Sequence, residues 1–199
     1  VKIELYGPLG EQAGPEYLDV SSKMTRSRAV FIKTIAALEP RFGGSVDRLS
    51  LQKIAYFLQC LGVPFNLEFK NSLYGPYSST LKKALVKLDR WRYVSGYIDG
   101  QRSASVTSAG YAAADEYARV HGVDEAVVDK ISHLLEGYDS PYGLELLSTV
   151  HFKLSRGLAY DGSDPVVEGS GTYRKNVFPI NEINAAVRRL VEDGLLDGE

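Results

Sequence analysis

The sequence has a single cysteine, a single methionine and a single tryptophan among its 199 residues. One cysteine excludes an internal disulfide, so the composition demands no oxidising compartment. The sequence also has no run of 18 apolar residues, which excludes a predicted membrane-spanning helix. No charge of one sign dominates, because the net charge is only −2. These absences favour an ordinary globular protein and predict a cytoplasmic location, with no membrane as partner.

Known catalytic motifs are missing as well. The sequence contains no glycine-rich phosphate loop, no HExxH metal motif and no CxxC pair. His121, His133 and His151 fall on three separate predicted helices, which is typical of structural histidines rather than of metal ligands. The residues therefore predict a protein without catalytic residues, metal or cofactor.

Tyrosine and charge distribution are the unusual features of the composition. There are 13 tyrosines against 7 phenylalanines, and tyrosine suits partner-binding surfaces as well as half-buried cores. Residues 1–100 hold 14 basic and 9 acidic side chains, a net +5, whereas residues 101–199 hold 9 and 16, a net −7. This asymmetry indicates either charged partners or chance scatter over a solvated surface.

Apolar side chains at helical spacing dominate the chain, and the residues 48–61 are the most regular example. Ser78 or Ser79, Ser108, and Ser140 followed by Pro141 are predicted helix starts. The pattern predicts helices over 25–40, 48–61, 79–90, 109–121, 125–136, 141–156 and 182–193.

Extended and irregular segments separate these helices. Residues 65–70 alternate and predict a short strand, and Gly75-Pro76 is predicted to end the extended segment that precedes the helical residues 79–90. Residues 93–107 predict a two-stranded ribbon turning at Asp99-Gly100. The stretches 7–23 and 158–179 are predicted to be a linker and a long irregular loop.

The predicted fold is therefore mainly α (α+β). It is a helical domain with a winged-helix-like helix–helix–hairpin unit and a C-terminal helical group. The predicted boundaries are 1–23 for a preceding segment, 24–122 for the winged-helix-like part and 123–199 for the C-terminal part.

Four blocks in order carry a family resemblance: LQKIAYFLQCLGVPFNLEF, YGPYSSTLKKAL, VSGYIDG and SPYGLELLSTVHF, which together span about 51–152. They resemble the C-terminal region of DarG, the antitoxin of the DarT–DarG toxin–antitoxin systems. The opening VKIELYGPLG looks like the end of the macrodomain that precedes this region in the family. The loop YGPYSSTL departs from the family pattern, since it lacks the acidic and amide groups found there.

The resemblance implies a specific function. DarT is an ADP-ribosyltransferase that uses NAD to modify thymidine in single-stranded DNA; the DarG macrodomain removes the ADP-ribose, and the C-terminal region binds DarT. The chain is thus expected to be an antitoxin domain that binds and blocks DarT without being an enzyme. Its expected partners are the DarT toxin and the preceding macrodomain.

One mechanism for such a block is mimicry of single-stranded DNA, in which carboxylates replace phosphates and tyrosines replace bases. On this hypothesis the candidate partner-binding residues are Tyr74, Tyr77, Tyr97, Asp139, Tyr142, Glu145, Asp161, Asp164 and Glu168.

The alternative is a winged-helix DNA-binding module that represses its own operon. The helix 79–90 would then enter a DNA groove, and the 93–106 ribbon would form the wing. The phosphate contacts in this alternative are Lys82, Lys83, Lys87, Arg90 and Arg92. Direct DNA binding belongs to this alternative and is not expected of the antitoxin.

Overall fold

A computed structural model describes residues 23–158, 160 and 178–197, together with the backbone of 164–168 and 171–175. This part of the chain is mainly α with small β-sheets, as predicted. None of its helices combines the length and the apolar character that crossing a membrane requires. The helices are α1 (Arg26–Leu38), α2 (Arg48–Cys60), α3 (Ser79–Arg90), α4 (Ser108–His121), α5 (Ala126–Leu134), α6 (Pro141–Leu154) and α7 (Ile180–Glu192).

The strands are short and pair only in antiparallel fashion within the described residues. They form one three-stranded sheet in the order β1-β5-β4 and two hairpins, β2-β3 and β6-β7. The strands are β1 (Val46–Asp47), β2 (Lys70–Ser72), β3 (Gly75–Tyr77), β4 (Val94–Ser95), β5 (Ser103–Val106), β6 (Asp164–Glu168) and β7 (Gly171–Lys175).

Side-chain caps start α3 and α6 where the sequence indicates. Ser78 caps α3 and Ser140 caps α6, each accepting a hydrogen bond from a backbone N–H of the first turn, so both predictions are confirmed. At α4 the cap is Thr107, and the predicted cap Ser108 is the first helical residue instead. The predicted helix ends thus agree with the structure to within two residues, because most of them depend on local side chains.

The predicted break at Gly75-Pro76 is the second strand of a hairpin. Lys70 pairs with Tyr77 and Ser72 with Gly75, so the strand begins later than predicted from the alternating residues 65–70. The hairpin packs on α2 and α6, where Lys53 Nζ donates a hydrogen bond of 2.8 Å to the Pro76 carbonyl. This contact attaches the hairpin to the core.

The ribbon predicted within 93–107 is confirmed, but its turn is different. Val94 pairs with Val106 and Ser95 with Ser105, which leaves the loop 96–102 between them. A type I′ turn needs positive φ at both central residues, and of the predicted pair only Gly100 has it, at 75°. The ribbon therefore closes through a longer loop, which has room to carry functional side chains.

The segment predicted to be irregular, 158–179, contains the hairpin β6-β7. Phe178, which follows it, is 2% exposed and belongs to the core. The prediction of an irregular loop is wrong because hairpin strands are held by each other and need no strong apolar alternation.

The core is one cluster of buried side chains to which all seven helices contribute. Helix α1 packs on α4 and α5, α2 packs on α6, and α6 packs on α7. The division at residues 122 and 123 stays a prediction. The predicted preceding segment, 1–23, lies outside the described residues except for its last residue.

Candidate functional site

A groove runs between the N-terminal end of α2, the start of α3 and the loop 96–102. We call it the Arg48 groove, and its volume is about 710 Å³, within the range of ligand sites. Its lining residues are Asp47, Arg48, Leu49, Gln52, Tyr77, Lys82, Val86, Tyr97, Ile98 and Arg102.

Arg48 is held in a fixed position in this groove. Its guanidinium donates a hydrogen bond to the Tyr97 carbonyl, and its Cζ lies 4.8 Å from the centroid of the Tyr97 ring. Its backbone N–H donates to the Arg102 carbonyl at 3.2 Å. Because these contacts order the side chain in advance, a ligand anion would meet a guanidinium that loses little freedom on binding.

The loop that carries Tyr97 and Ile98 is fixed by a buried carboxylate. Asp89 Oδ2 accepts hydrogen bonds from the backbone N–H of Tyr97, at 2.7 Å, and of Ile98, at 3.0 Å. Gly96 precedes them with φ +90°, and a side chain there would meet the Ser103 carbonyl at 2.8 Å. Hydrogen bonds from the loop backbone to Asp89 therefore hold this wall of the groove in place, in addition to side-chain packing.

The opposite wall is positioned by Gln52. Its amide accepts from the Ser78 N–H at 2.9 Å and donates to the Ser78 carbonyl at 3.1 Å. Ser78 caps α3, so this pair sets where α3 begins. It thereby places Tyr77 on one side of the cap and Lys82 on the other.

The groove carries more positive than negative charge. Arg48, Lys82 and Arg102 are exposed, and no carboxylate of the described residues forms an ion pair with any of the three. The carboxylate of Asp47 accepts from the backbone N–H of Leu49 and Ser50, so it is engaged at the start of α2. The groove is therefore suited to an anion.

Burial raises the pKa of the Tyr97 phenol, an effect increased by Tyr77 and opposed by Arg48. Tyr97 is only 5% exposed, and its ring lies against the Arg48 guanidinium. Tyr77 is half-buried and Ile98 is 43% exposed, and these two provide the open apolar floor.

A second polar cluster lies under α6. The Tyr56 hydroxyl is 2.7 Å from His151 Nδ1, and His151 Nε2 is 3.1 Å from the Leu195 carbonyl. Since a carbonyl only accepts, Nε2 carries the proton and Nδ1 accepts from Tyr56. The nearby Cys60 is exposed, but the protein atoms around its thiol desolvate it and raise its pKa to about 11, so the thiol is protonated at neutral pH.

A third group of charged side chains surrounds His133, between α5 and α7. Asp193 Oδ1 is 3.6 Å from His133 Nε2, and Arg189 Nε is 3.0 Å from Asp193 Oδ2. Arg189 also donates to the carbonyls of His133 and Leu134 at the end of α5. These contacts hold α5 and α7 together, so the charged cluster has a structural role.

Within the part of the chain that the structure describes, no three His, Cys, Asp or Glu side chains are placed to hold a metal ion.

The predicted partner-binding residues are distributed over several places. Tyr77 and Tyr97 meet in the Arg48 groove, whereas Tyr74, 38% exposed, is at the tip of the β2-β3 hairpin. Asp139 pairs with Arg41 at 2.9 Å. The structure therefore brings two of these four together.

The remaining predicted residues lie in the C-terminal part. The Tyr142 hydroxyl donates to Glu182 at 2.6 Å, and Glu145 is half-buried on α6. Asp164 and Glu168 are the end residues of β6, where only the backbone is described, and Asp161 lies outside the described residues. A binding role for the nine predicted residues stays a prediction.

Sequence reasoning missed Arg48 and Arg102, and it placed Lys82 on a DNA-reading helix rather than in this groove. No local pattern joins residues 48, 82 and 102. The Gly-rich ribbon loop was the one available signal, because a loop on a rigid scaffold often carries function.

No protein-family model matches this chain. Three curated proteins do, and each is named DNA ADP-ribosyl glycohydrolase. The protein of Thermus aquaticus is 30% identical over 206 residues, covering 100% of this chain. Those of Mycobacterium bovis and Mycobacterium tuberculosis are each 27% identical over 210 residues, covering 96% of it. The chain spans only 56% and 59% of these relatives' own lengths.

These names contradict three expectations drawn from the sequence. Relatives that cover almost the whole chain are named for an enzyme and not for an antitoxin region, so the resemblance to DarG is wrong as stated. The function of blocking the DarT toxin and the expectation of a non-enzyme are contradicted by the same finding. The autoregulatory winged-helix alternative gains no support from the names either. ADP-ribosylation is the one subject that expectation and comparison share.

Proposed function

We propose that this chain acts in the removal of ADP-ribose from DNA, as the part that holds the modified strand. The observation that carries the proposal is the match of the whole chain to a relative named DNA ADP-ribosyl glycohydrolase, at 30% identity. Because the chain spans about half of that relative, the proposal concerns the chain's contribution and assigns no bond-breaking residue.

The chemistry of such a substrate sets what a holding surface needs. ADP-ribose adds a pyrophosphate and an adenine ring to a strand that already carries one charge per nucleotide. A surface that holds it should offer several cations beside apolar area for a ring. The Arg48 groove has Arg48, Lys82 and Arg102 beside Tyr77 and Ile98.

The groove is assigned to holding the substrate rather than to hydrolysis because its carboxylates are engaged. Hydrolysis of a glycosidic bond generally uses a pair of acidic side chains, one of which activates water or attacks the sugar. Asp47 is engaged at the start of α2, and the neighbouring Asp89 is engaged by the loop N–H groups.

The proposal is tested with two oligonucleotides of the same sequence, one carrying a single ADP-ribose and one unmodified. Fluorescence anisotropy with the 199-residue chain should show tighter binding of the modified strand, because two more phosphates and a further ring are available. Equal affinity for the two strands, at every salt concentration between 50 and 200 mM, would contradict the proposal.

A further inference from the structure

We infer that the Arg48 groove binds an unpaired DNA strand, with phosphates on Arg48, Lys82 and Arg102 and one base against Tyr77 and Ile98. This inference rests on the proposed function for the identity of the polymer. It adds the form of the DNA, the place where it binds and the residues that contact it.

The cations of the groove come from three different elements. Arg48 begins α2, Lys82 is in the first turn of α3, and Arg102 ends the loop before β5. Three exposed cations without a carboxylate partner among the described residues repel one another, and a polyanion relieves that repulsion. Their convergence on one groove therefore favours a ligand with several phosphates.

The floor of the groove distinguishes an unpaired strand from a duplex. Ile98 is 43% exposed although it lies in a loop fixed by Asp89, and Tyr77 beside it is half-buried. A duplex presents mostly phosphates to a surface of this kind and would leave the apolar floor in water. An unpaired base has a free face that can cover it.

An acidic protein segment is the competing occupant, since carboxylates also pair with arginine and lysine. Such a segment gives no flat ring for the floor. Arg48 also favours the nucleic acid, because a guanidinium held in place by a ring matches the geometry of a phosphate. We therefore argue for the DNA strand, and a competition experiment decides between the two.

The experiment uses the whole chain and a fluorescein-labelled 15-mer of thymidine as the probe, read by anisotropy at several salt concentrations. The variant Lys82→Glu/Arg102→Glu reverses two groove charges. Its matched control, Lys83→Glu/Arg90→Glu, makes the same change in net charge at exposed positions of α3 that do not line the groove.

The groove variant should bind at least tenfold more weakly than the control. Its plot of log affinity against log salt should be shallower by roughly 1.4, because each phosphate contact on a single strand contributes about 0.7 to the slope. Tyr77→Ala should lose roughly 5-fold or more in affinity while Tyr77→Phe retains it. Far-UV circular dichroism confirms that every variant is folded.

Three results would overturn the inference: equal loss in the groove variant and the control, equal or better binding of a duplex 15-mer, or displacement of the probe by polyglutamate at lower concentration than by unlabelled thymidine 15-mer. The outcome is separable from that of the proposed function. If the groove variants bind the strand as tightly as the unaltered chain, and the preference for the ADP-ribosylated strand persists, only the inference is wrong. If binding depends on the groove but shows no preference for the ADP-ribosylated strand, only the proposed function is wrong.

Discussion

Gly75 shows how a single residue in this protein can be fixed by its surroundings. Its φ is +77°, and a Cβ added there would lie 2.5 Å from Thr149 Oγ1 on α6. Both facts exclude a side chain, because positive φ strains any L-residue with a Cβ and the space is already filled.

Gly75→Ala is therefore expected to lower the free energy of unfolding by about 3 kcal/mol, from backbone strain plus overpacking. The measurement is urea denaturation followed by circular dichroism. Gly100→Ala is the matched control, because its φ is +75° but nothing lies within 4 Å, so strain alone should cost about 1 kcal/mol. Equal losses at the two positions would show that contact with Thr149 contributes nothing.

His151 is the residue whose protonation should affect stability. Burial, reinforced by Arg156, lowers its pKa, although the Leu195 carbonyl opposes this. The folded protein therefore takes up this proton at lower pH than the unfolded chain, whose histidine titrates near 6.5. The stabilisation is present above that pH and is lost as the pH falls towards the folded pKa.

We expect the free energy of unfolding to fall as the pH is lowered from about 6.5, with His151 contributing at most about 1.4 kcal/mol per pH unit. Urea denaturation at pH 7.5, 6.5 and 5.5 measures it. His151→Gln should flatten this part of the curve, whereas the surface variant His121→Gln, which leaves the Tyr56–His151 contact intact, should keep it. A curve of the same steepness in both variants would exclude His151 as the cause.

At the scale of elements, α5 and α7 are held together by their ends. Arg189 on α7 donates to the carbonyls of His133 and Leu134 at the C-terminal end of α5, where carbonyls lack the usual partner four residues later; the His133 carbonyl also accepts from the Glu136 N–H. Its ion pair with Asp193 fixes the guanidinium for this role.

Arg189→Leu should lower the free energy of unfolding by about 1–3 kcal/mol, since it removes the donor to the Leu134 carbonyl and the ion-pair partner of Asp193, whereas the His133 carbonyl still accepts from the Glu136 N–H. Arg188→Leu, one residue earlier and exposed, should change stability by no more than about 0.5 kcal/mol. Thermal and urea unfolding of the two variants provide the comparison. A larger effect at 188 than at 189 would contradict the capping role.

Secondary structure was predictable where the signal is local. The helix starts at Ser78 and Ser140 depend on side chains within one turn of the cap, and both are confirmed. The hairpins β2-β3 and β6-β7 were missed because a short strand is stabilised by its partner strand and by the surface beneath it. Neither the partner strand nor the surface beneath can be inferred from the three to five residues of one strand.

At the scale of the whole molecule, the candidate site was not predictable beyond two tyrosines. Tyr77 and Tyr97 were singled out for their residue type, and they do meet in the Arg48 groove. The structure adds that Tyr97 supports Arg48 from beneath. Only the packing of α2 against the β2-β3 hairpin, and the Gln52–Ser78 hydrogen bonds that set where α3 begins, show that the arginine belongs there.

The sequence by itself determined the helices, most of their ends, the ribbon and the mainly α class. Each of these depends on residues within a few positions of one another, through the helical repeat, side-chain capping and turn residues. Tertiary structure alone decided which charges converge on one groove and which are used within the fold. Arg48 and Arg102 remain exposed at the groove, while Arg41 pairs with Asp139 and Arg189 donates to carbonyls at the end of α5. The reason is physical: the energy of a charge depends on its distance from other charges and from water, and distances between residues far apart in the chain exist only once the core has formed.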